Sequence, residues 1–279
     1  MRAQGTPDEH GTTGERLHDA GDAEAQLARS GSPLAQWIRG LASTLGRIVG
    51  PYGTLILTLA IGAVIAFALS LGAVGVYDAV TDEDGVAGID RPLLDAILTI
   101  RDPQADAFIT GFTDLAGTIG MPLIAIVSLV VLSLRRRSWT PLVLVVAAGA
   151  GSLLMTVAGK VLIGRDRPPL TDAVPPYEVS ASFPSGHTLN AVAILGVIAY
   201  LLILRRRSGW ARAGIIAIAV VASLLVAASR VYLGHHWVTD VVAGWLLGAA
   251  WLAIVITAHR LYLLTRLRHD QQREPAAAS

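Results

Sequence analysis

Cysteine is absent from this 279-residue chain, which excludes disulfides and thiolate metal sites and leaves the redox character of its compartment unread. Lysine is nearly absent: of 22 basic residues, 21 are arginine, and the single lysine, Lys160, stands at the end of an apolar run. Kept there in so arginine-biased a chain, it points to a need for a compact ammonium charge, against the alternative of a stray codon. Net charge is small, +1, and gives no case for nucleic acid as a partner. The chain also lacks a basic start followed at once by an apolar core, so no cleaved signal peptide is expected. Internal repeats and a carboxylate cluster fit for magnesium are missing as well.

What is present is apolar. Hydrophobic residues make up 53% of the chain and the mean hydropathy is +0.56. Several uncharged runs reach about 18 residues or more, the length of a membrane span. The fold class expected is all-α: a polytopic membrane helix bundle with about six transmembrane helices plus a short amphipathic helix. Residues 1–50 read as a mobile polar tail and interfacial segment, with Trp37 and Ile38 its main apolar pair, 51–265 as the transmembrane domain and 266–279 as a polar C-terminal tail. Spans are expected at about 54–76, 108–134, 141–163, 184–204, 211–228 and 238–264, the first serving as insertion signal and the second interrupted by Asp114 and several glycines. The stretch 77–106 is acidic, and Leu93, Leu94, Ile97, Leu98 and Ile100 recur in it at helical spacing, as in a surface helix. It serves as a solvated connector or as a lid over a site.

Arginine placement orients the bundle. Arg135, Arg136 and Arg137 are two spans away from Arg205, Arg206 and Arg207, so both triplets lie on one side, expected to be cytoplasmic together with both termini. The loops at 164–183 and 229–237 then fall on the outer face, where Arg165, Arg167 and Arg230 cannot be inside anchors. Three segments concentrate polar residues at that face. In Lys160 to Pro168, cations end a helix that the prolines stop. In Pro184-Ser185-Gly186-His187, Ser185 is a natural N-cap, and the helix start offers N–H groups to a phosphate beside a titratable imidazole. In Ser229 to Asp240, His236 and Asp240 are four residues apart on one helical face, so the carboxylate can orient the imidazole and leave its other nitrogen free to attack. His235 points elsewhere and is the weaker candidate. Taken singly, a cap or a loop histidine packed on Trp237 would need no function. Together, cations, N–H donors, an oriented nucleophile and a second imidazole suit phosphoryl transfer, with arginine and lysine neutralising charge in place of a metal.

Lysine, six residues and Arg-Pro (Lys160 to Pro168), then Pro-Ser-Gly-His (Pro184 to His187), then Ser-Arg, five residues, His, three residues and Asp (Ser229 to Asp240) resemble the three-part signature of the type 2 phosphatidic acid phosphatase family. That family shares its pocket with vanadium haloperoxidases, and the likeness covers about residues 50–265. The resemblance implies a cell-membrane, multi-pass lipid phosphate phosphatase that needs no cofactor and no metal. In it His236 forms a phosphohistidine, Asp240 holds its ring, and His187 protonates the leaving group and then activates water. Lys160, Arg167, Arg230, Ser185 and Gly186 would bind the phosphoryl oxygens, while Arg165 matches no motif position and is left as an auxiliary charge. The implied partners are the membrane and a lipid phosphate: phosphatidate, phosphatidylglycerophosphate or undecaprenyl pyrophosphate. Competing readings are a transporter or scavenger that binds the anion without cleaving it, and halide oxidation with bound vanadate. The sequence carries no signal of oligomeric state.

Overall fold

The computed structural model describes Gly40 and residues 52–273, so the expected N-terminal tail and its Trp37–Ile38 pair lie outside the described residues. Among the described residues every regular element is helical. α1 spans Gly53–Asp82, α2 Asp90–Thr99, α3 Pro103–Asp114, α4 Gly120–Arg136, α5 Thr140–Ile163, α6 Gly186–Ile203, α7 Gly209–Tyr232 and α8 Val238–Arg273, with short 3-10 turns at Gly85–Ile89 and Leu170–Asp172.

Five of these, α1, α5, α6, α7 and the part of α8 from Val238 to Arg268, are long and apolar enough to cross a membrane. α6 is the axis of the bundle, packed against α4, α5, α7 and α8, and its Leu189, Ala191, Val197 and Leu201 are fully buried. Outward faces are the reverse: Val64 and Phe67 of α1 and Leu154 and Val161 of α5 are exposed, as lipid-facing side chains are. α1 leans mainly on α8, an arrangement that requires Gly62, where a Cβ would run into the Thr257 side chain.

The expected span at 108–134 is two helices rather than one. Asp102 caps α3, accepting from Gln104 N (3.0 Å) and Ala105 N (3.1 Å), and Pro103 supplies the first turn. α3 then stops at Asp114, before a stretch holding Gly117 and Gly120 that a helix tolerates poorly. What remains of the span, α4, has 17 residues, about 25 Å of rise, close to the lower limit for crossing. α4 runs parallel to α6: Arg136 at its end donates to Leu201 O near the end of α6. The helix expected near 93–100 is α2, with Leu94 buried beneath it. α8 continues as helix through Arg273, into the segment read as a polar tail.

The alternation gathers the ends of α1, α5 and α7, the starts of α4, α6 and α8, and all of α2 and α3 at one end of the bundle. Arg135–Arg137 and Arg205–Arg207 lie at the other. Close helix contact sets the core geometry: a Cβ on Gly151 of α5 would sit 2.1 Å from the Trp251 ring of α8, whose Nε1 donates to Ala147 O (3.1 Å). Gly151→Ala is therefore expected to force the indole aside and cost about 1–3 kcal/mol. A lowered thermal unfolding midpoint in detergent, relative to wild type, checks it.

Candidate active site

Asp240 organises the site. It sits in the first turn of α8 with no solvent exposure, and four donors converge on its carboxylate. Oδ1 accepts from Arg165 Nη1 (2.6 Å), and Oδ2 accepts from Trp237 N (2.9 Å), from Ser182 Oγ in close contact and from His236 Nδ1 at 3.4 Å. The bond from Trp237 N is half of a capping box, an acidic side chain reaching back to the N-terminus of its own helix. His236, at the end of the Leu233–Trp237 turn, is buried, and its Nδ1 also lies 3.3 Å from Ser182 Oγ. Its Nε2 faces Arg167 Nη1 at 3.3 Å. Nδ1 toward a carboxylate and Nε2 toward an arginine donor is the tautomer that leaves Nε2 with a lone pair. Burial holds the His236 imidazole down to about 4, against the opposing pull of Asp240, so the ring is neutral near pH 7.

The cations converge on the same place. α5 ends at Gly164, whose positive φ of 64° lets the chain turn sharply into the loop that carries Arg165 and Arg167. Lys160 Nζ donates to Ser180 Oγ (3.1 Å) and to Ala181 O. Arg167 reaches the same Ser180 Oγ (3.1 Å), Ser180 O (2.6 Å) and His235 O. Its Nη2 is 2.7 Å from Glu178 Oε2, and Glu178 Oε1 is in close contact with Arg230 Nη2. Arg230 is buried, and its Nε has no partner. A buried donor without an acceptor is costly, and an anion beside it would supply one. Burial alone would raise the Glu178 carboxyl, but Arg230 and Arg167 outweigh it and, with His236 and His187 also in range, hold it down to about 2.

The Pro184–His187 segment enters from α6. Ser185 N donates to Asp240 O (3.1 Å), tying the start of α6 to the start of α8, and this closeness requires Gly244, where a Cβ would come within 2.8 Å of Ser185 O. Two expectations change here. Ser185 occupies the N-cap position, but its hydroxyl makes no cap bond and accepts from Thr188 Oγ1 (3.0 Å), retaining its own proton to donate. Its N–H is taken by Asp240, so of the two expected backbone donors it is the Gly186 N–H that remains, in a first turn that no helix pairs internally. His187 is half-buried, and its Nε2 would lie 3.5 Å from a Cβ on Gly117, in the break between α3 and α4. Ser229 Oγ donates to Thr113 Oγ1 (3.0 Å) from the other side of that break.

All the residues singled out from the sequence therefore gather at one end of the bundle: Lys160, Arg167, Ser185, Gly186, His187, Arg230, His236 and Asp240. His235 is turned away, its Nε2 2.6 Å from Val174 O. Arg165, expected only as an auxiliary charge, binds Asp240 and Asp90. Glu178, Ser180, Ser182, Thr239 and Asp90 escaped the sequence reading. Thr239 lies inside the Ser229–Asp240 stretch and Ser182 two residues before the Pro-Ser-Gly-His run, but neither stands out from its neighbours. Among the described residues no group of three or more His, Asp or Glu could hold a metal ion.

A sequence model of the PAP2 superfamily matches residues 139–262, which contain all of these expected positions. Phosphatidylglycerophosphatase B of Bacillus subtilis (strain 168) is 36% identical over 173 residues, 59% of this chain and 80% of that protein. The undecaprenyl-diphosphatase of Sulfolobus acidocaldarius is 36% identical over 80 residues, 29% of this chain and 34% of that one. Among solved structures, the transmembrane PAP2-type phosphatidylglycerolphosphate phosphatase from Bacillus subtilis aligns with a TM-score of 0.62 and 30% identity, covering 68% of this chain and 94% of that one.

The ion pairs of Glu178 give a pH signature. A carboxyl whose folded value is depressed from 4.5 to about 2 contributes stability that is full above the ordinary glutamate range and is lost as pH falls from about 4.5 toward 2. Glu178→Gln should lower the unfolding midpoint at pH 7 and flatten its fall across that acid window, measured by thermal scans in detergent.

Proposed function

The chain belongs to the PAP2 superfamily, and on that premise we propose that it is a membrane phosphatase that removes a phosphoryl group from a lipid by way of a phosphohistidine. The observation that carries the proposal is the surroundings of His236. An imidazole nitrogen with a free lone pair faces Arg167, next to Arg230 with its unpaired Nε, while the other ring nitrogen faces a buried carboxylate. A binder or transporter of anions needs the arginines but has no use for an oriented nucleophile.

In this reading Nε2 of His236 attacks phosphorus as the bond to the leaving oxygen breaks, and that oxygen takes a proton from His187. His187, now neutral, accepts a proton from water, the water oxygen attacks phosphorus, and the P–N electron pair returns to Nε2 as phosphate departs. Lys160, Arg167, Arg230, the Ser185 hydroxyl and the Gly186 N–H meet the charge on the equatorial oxygens. Asp240 stabilises the positive charge that grows on the imidazole. Three cations supply the neutralisation a metal gives elsewhere, so EDTA is expected to leave turnover intact. Glu178 leaves the arginines as the phosphoryl group takes its place.

A relative of which this chain covers 80% is named for phosphatidylglycerophosphate, which favours a glycerolipid monoester as substrate. The shorter match to an undecaprenyl-diphosphatase supports a polyprenyl pyrophosphate as the second candidate. Phosphate release from phosphatidylglycerophosphate, phosphatidate and undecaprenyl pyrophosphate, measured side by side on the purified protein, ranks them. No release from any of them, with the lipids still bound, would favour the non-hydrolytic alternative.

His236→Ala is expected to reduce phosphate release by roughly 10^3-fold or more, and His187→Ala by about 10^2-fold or more. Turnover near wild type in folded His236→Ala protein would end the proposal. The arginine triplets argue that their end of the bundle is cytoplasmic, with both termini, and that the site faces outward. Since the chain has no cysteine, a single Thr171→Cys should react with an impermeant maleimide in intact cells, and Arg207→Cys only after lysis.

A further inference from the structure

Of the acidic residues between 77 and 106, Asp90 is the buried one, its side chain only 6% exposed. It is the first residue of α2, outside the stretch matched to the family. Oδ1 accepts from Thr239 N (3.0 Å), and Oδ2 accepts from Thr239 Oγ1 (2.6 Å) and Arg165 Nη2 (2.7 Å). The other end of the same guanidinium, Nη1, donates to Asp240 Oδ1 (2.6 Å) and Thr239 Oγ1 (2.7 Å). Arg165 thus bridges two carboxylates, and neither it nor Asp90 has a contact with His236.

We propose that Asp90 and Arg165 are positioning residues for the His236–Asp240 pair, which makes the connection between α1 and α2 part of the catalytic apparatus. The inference rests on the reading of His236 as nucleophile. The reason is charge balance in a buried chain. Asp240 with Arg165 alone is a neutral pair, and a neutral pair does little for an imidazole that becomes positive as its Nε2 bonds to phosphorus. Asp90 brings the three groups to a net −1, returning a negative field to the ring. It also fixes the plane of the guanidinium, and hence the direction of the Asp240 carboxylate. Both effects act as charge develops in the transition state and not on the cations that hold the phosphate.

The test uses the full-length protein in detergent with phosphatidylglycerophosphate as substrate and inorganic phosphate as competitive inhibitor. Asp90→Asn should lower kcat by about 10-fold or more, with KM and the phosphate inhibition constant within about two-fold of wild type. Asp95→Asn, which removes an exposed partner of Arg91 on the same helix, should match wild type. Should Asp90→Asn fail to fold, Arg165→Lys decides, because an ammonium keeps the charge but cannot bridge two carboxylates in the plane of a guanidinium; the same split between kcat and KM is expected. A folded Asp90→Asn with wild-type kcat, while His236→Ala is inactive, overturns the proposal and leaves the nucleophile assignment standing. So does a loss of kcat matched by an equal weakening of phosphate inhibition, which marks general collapse of the pocket. Full activity of His236→Ala would instead refute the nucleophile assignment, and this proposal with it.

Discussion

A carboxylate with no exposure to water, at the edge of a membrane bundle, is the constraint on which the site depends. Burying the charge of Asp240 costs several kcal/mol unless it is paired and fully hydrogen-bonded. Its partners come from three places in the chain: Arg165 after α5, Ser182 before α6, and His236 and Trp237 before α8. Its own carbonyl takes the N–H of Ser185. Satisfying this one group therefore fixes the relative heights of α5, α6 and α8, and those heights place three segments that lie far apart in sequence around one pocket. The demand of the carboxylate for donors and the demand of the chemistry for an oriented imidazole are met by the same bonds.

The pocket itself is arranged the opposite way. Arg230 is buried with an unpaired Nε, and Arg167 and Arg230 share a single carboxylate, so positive charge there is under-compensated. A fully neutralised cluster would be more stable and would hold an incoming anion less firmly. The hydrogen-bonded carboxylate network lies beside the Nδ1 edge of His236, and the electrostatic deficit lies on its Nε2 side. Glu178 bridges the two arginines on the loop after α5, where it is partly exposed and can be displaced.

What could be read from the sequence follows from background contrast. Lys160, Arg167, His187, Arg230, His236 and Asp240 stand out because they interrupt or border apolar runs, where a charge needs a reason. Glu178, Ser180 and Ser182 do the same kind of work but lie in a loop where polar residues are ordinary. Asp90 is hidden more deeply, one of many acids in a stretch whose other members stay in water, and only the fold reveals that it turns inward. The break between α3 and α4 was only partly legible, from Asp114 and the glycines that interrupt the apolar run. Hydropathy summed over a window merges two helices when the residues between them, Ala116 to Ile119, are themselves mostly apolar. The pattern at 90–99 was legible because its apolar residues recur at the helical period.

That break matters to the site more than its length suggests. An unbroken helix over 108–134 would carry α3 into the bundle and leave the end of α7 without Thr113, the partner of Ser229. α3 instead ends at Asp114, and the break that follows brings Gly117 beside His187, where a Cβ would lie 3.5 Å from Nε2. α2 anchors the opposite side through Asp90. The two short helices that do not span the membrane thus approach the two histidines from different directions, one through the break beside His187 and the other through the Asp90–Arg165–Asp240 chain behind His236. The spanning helices and the loops between them supply the pocket residues. The polar connection from 83 to 119 buries Asp90, Leu94, Thr113 and Ala116 in a stretch whose composition reads as a mere linker.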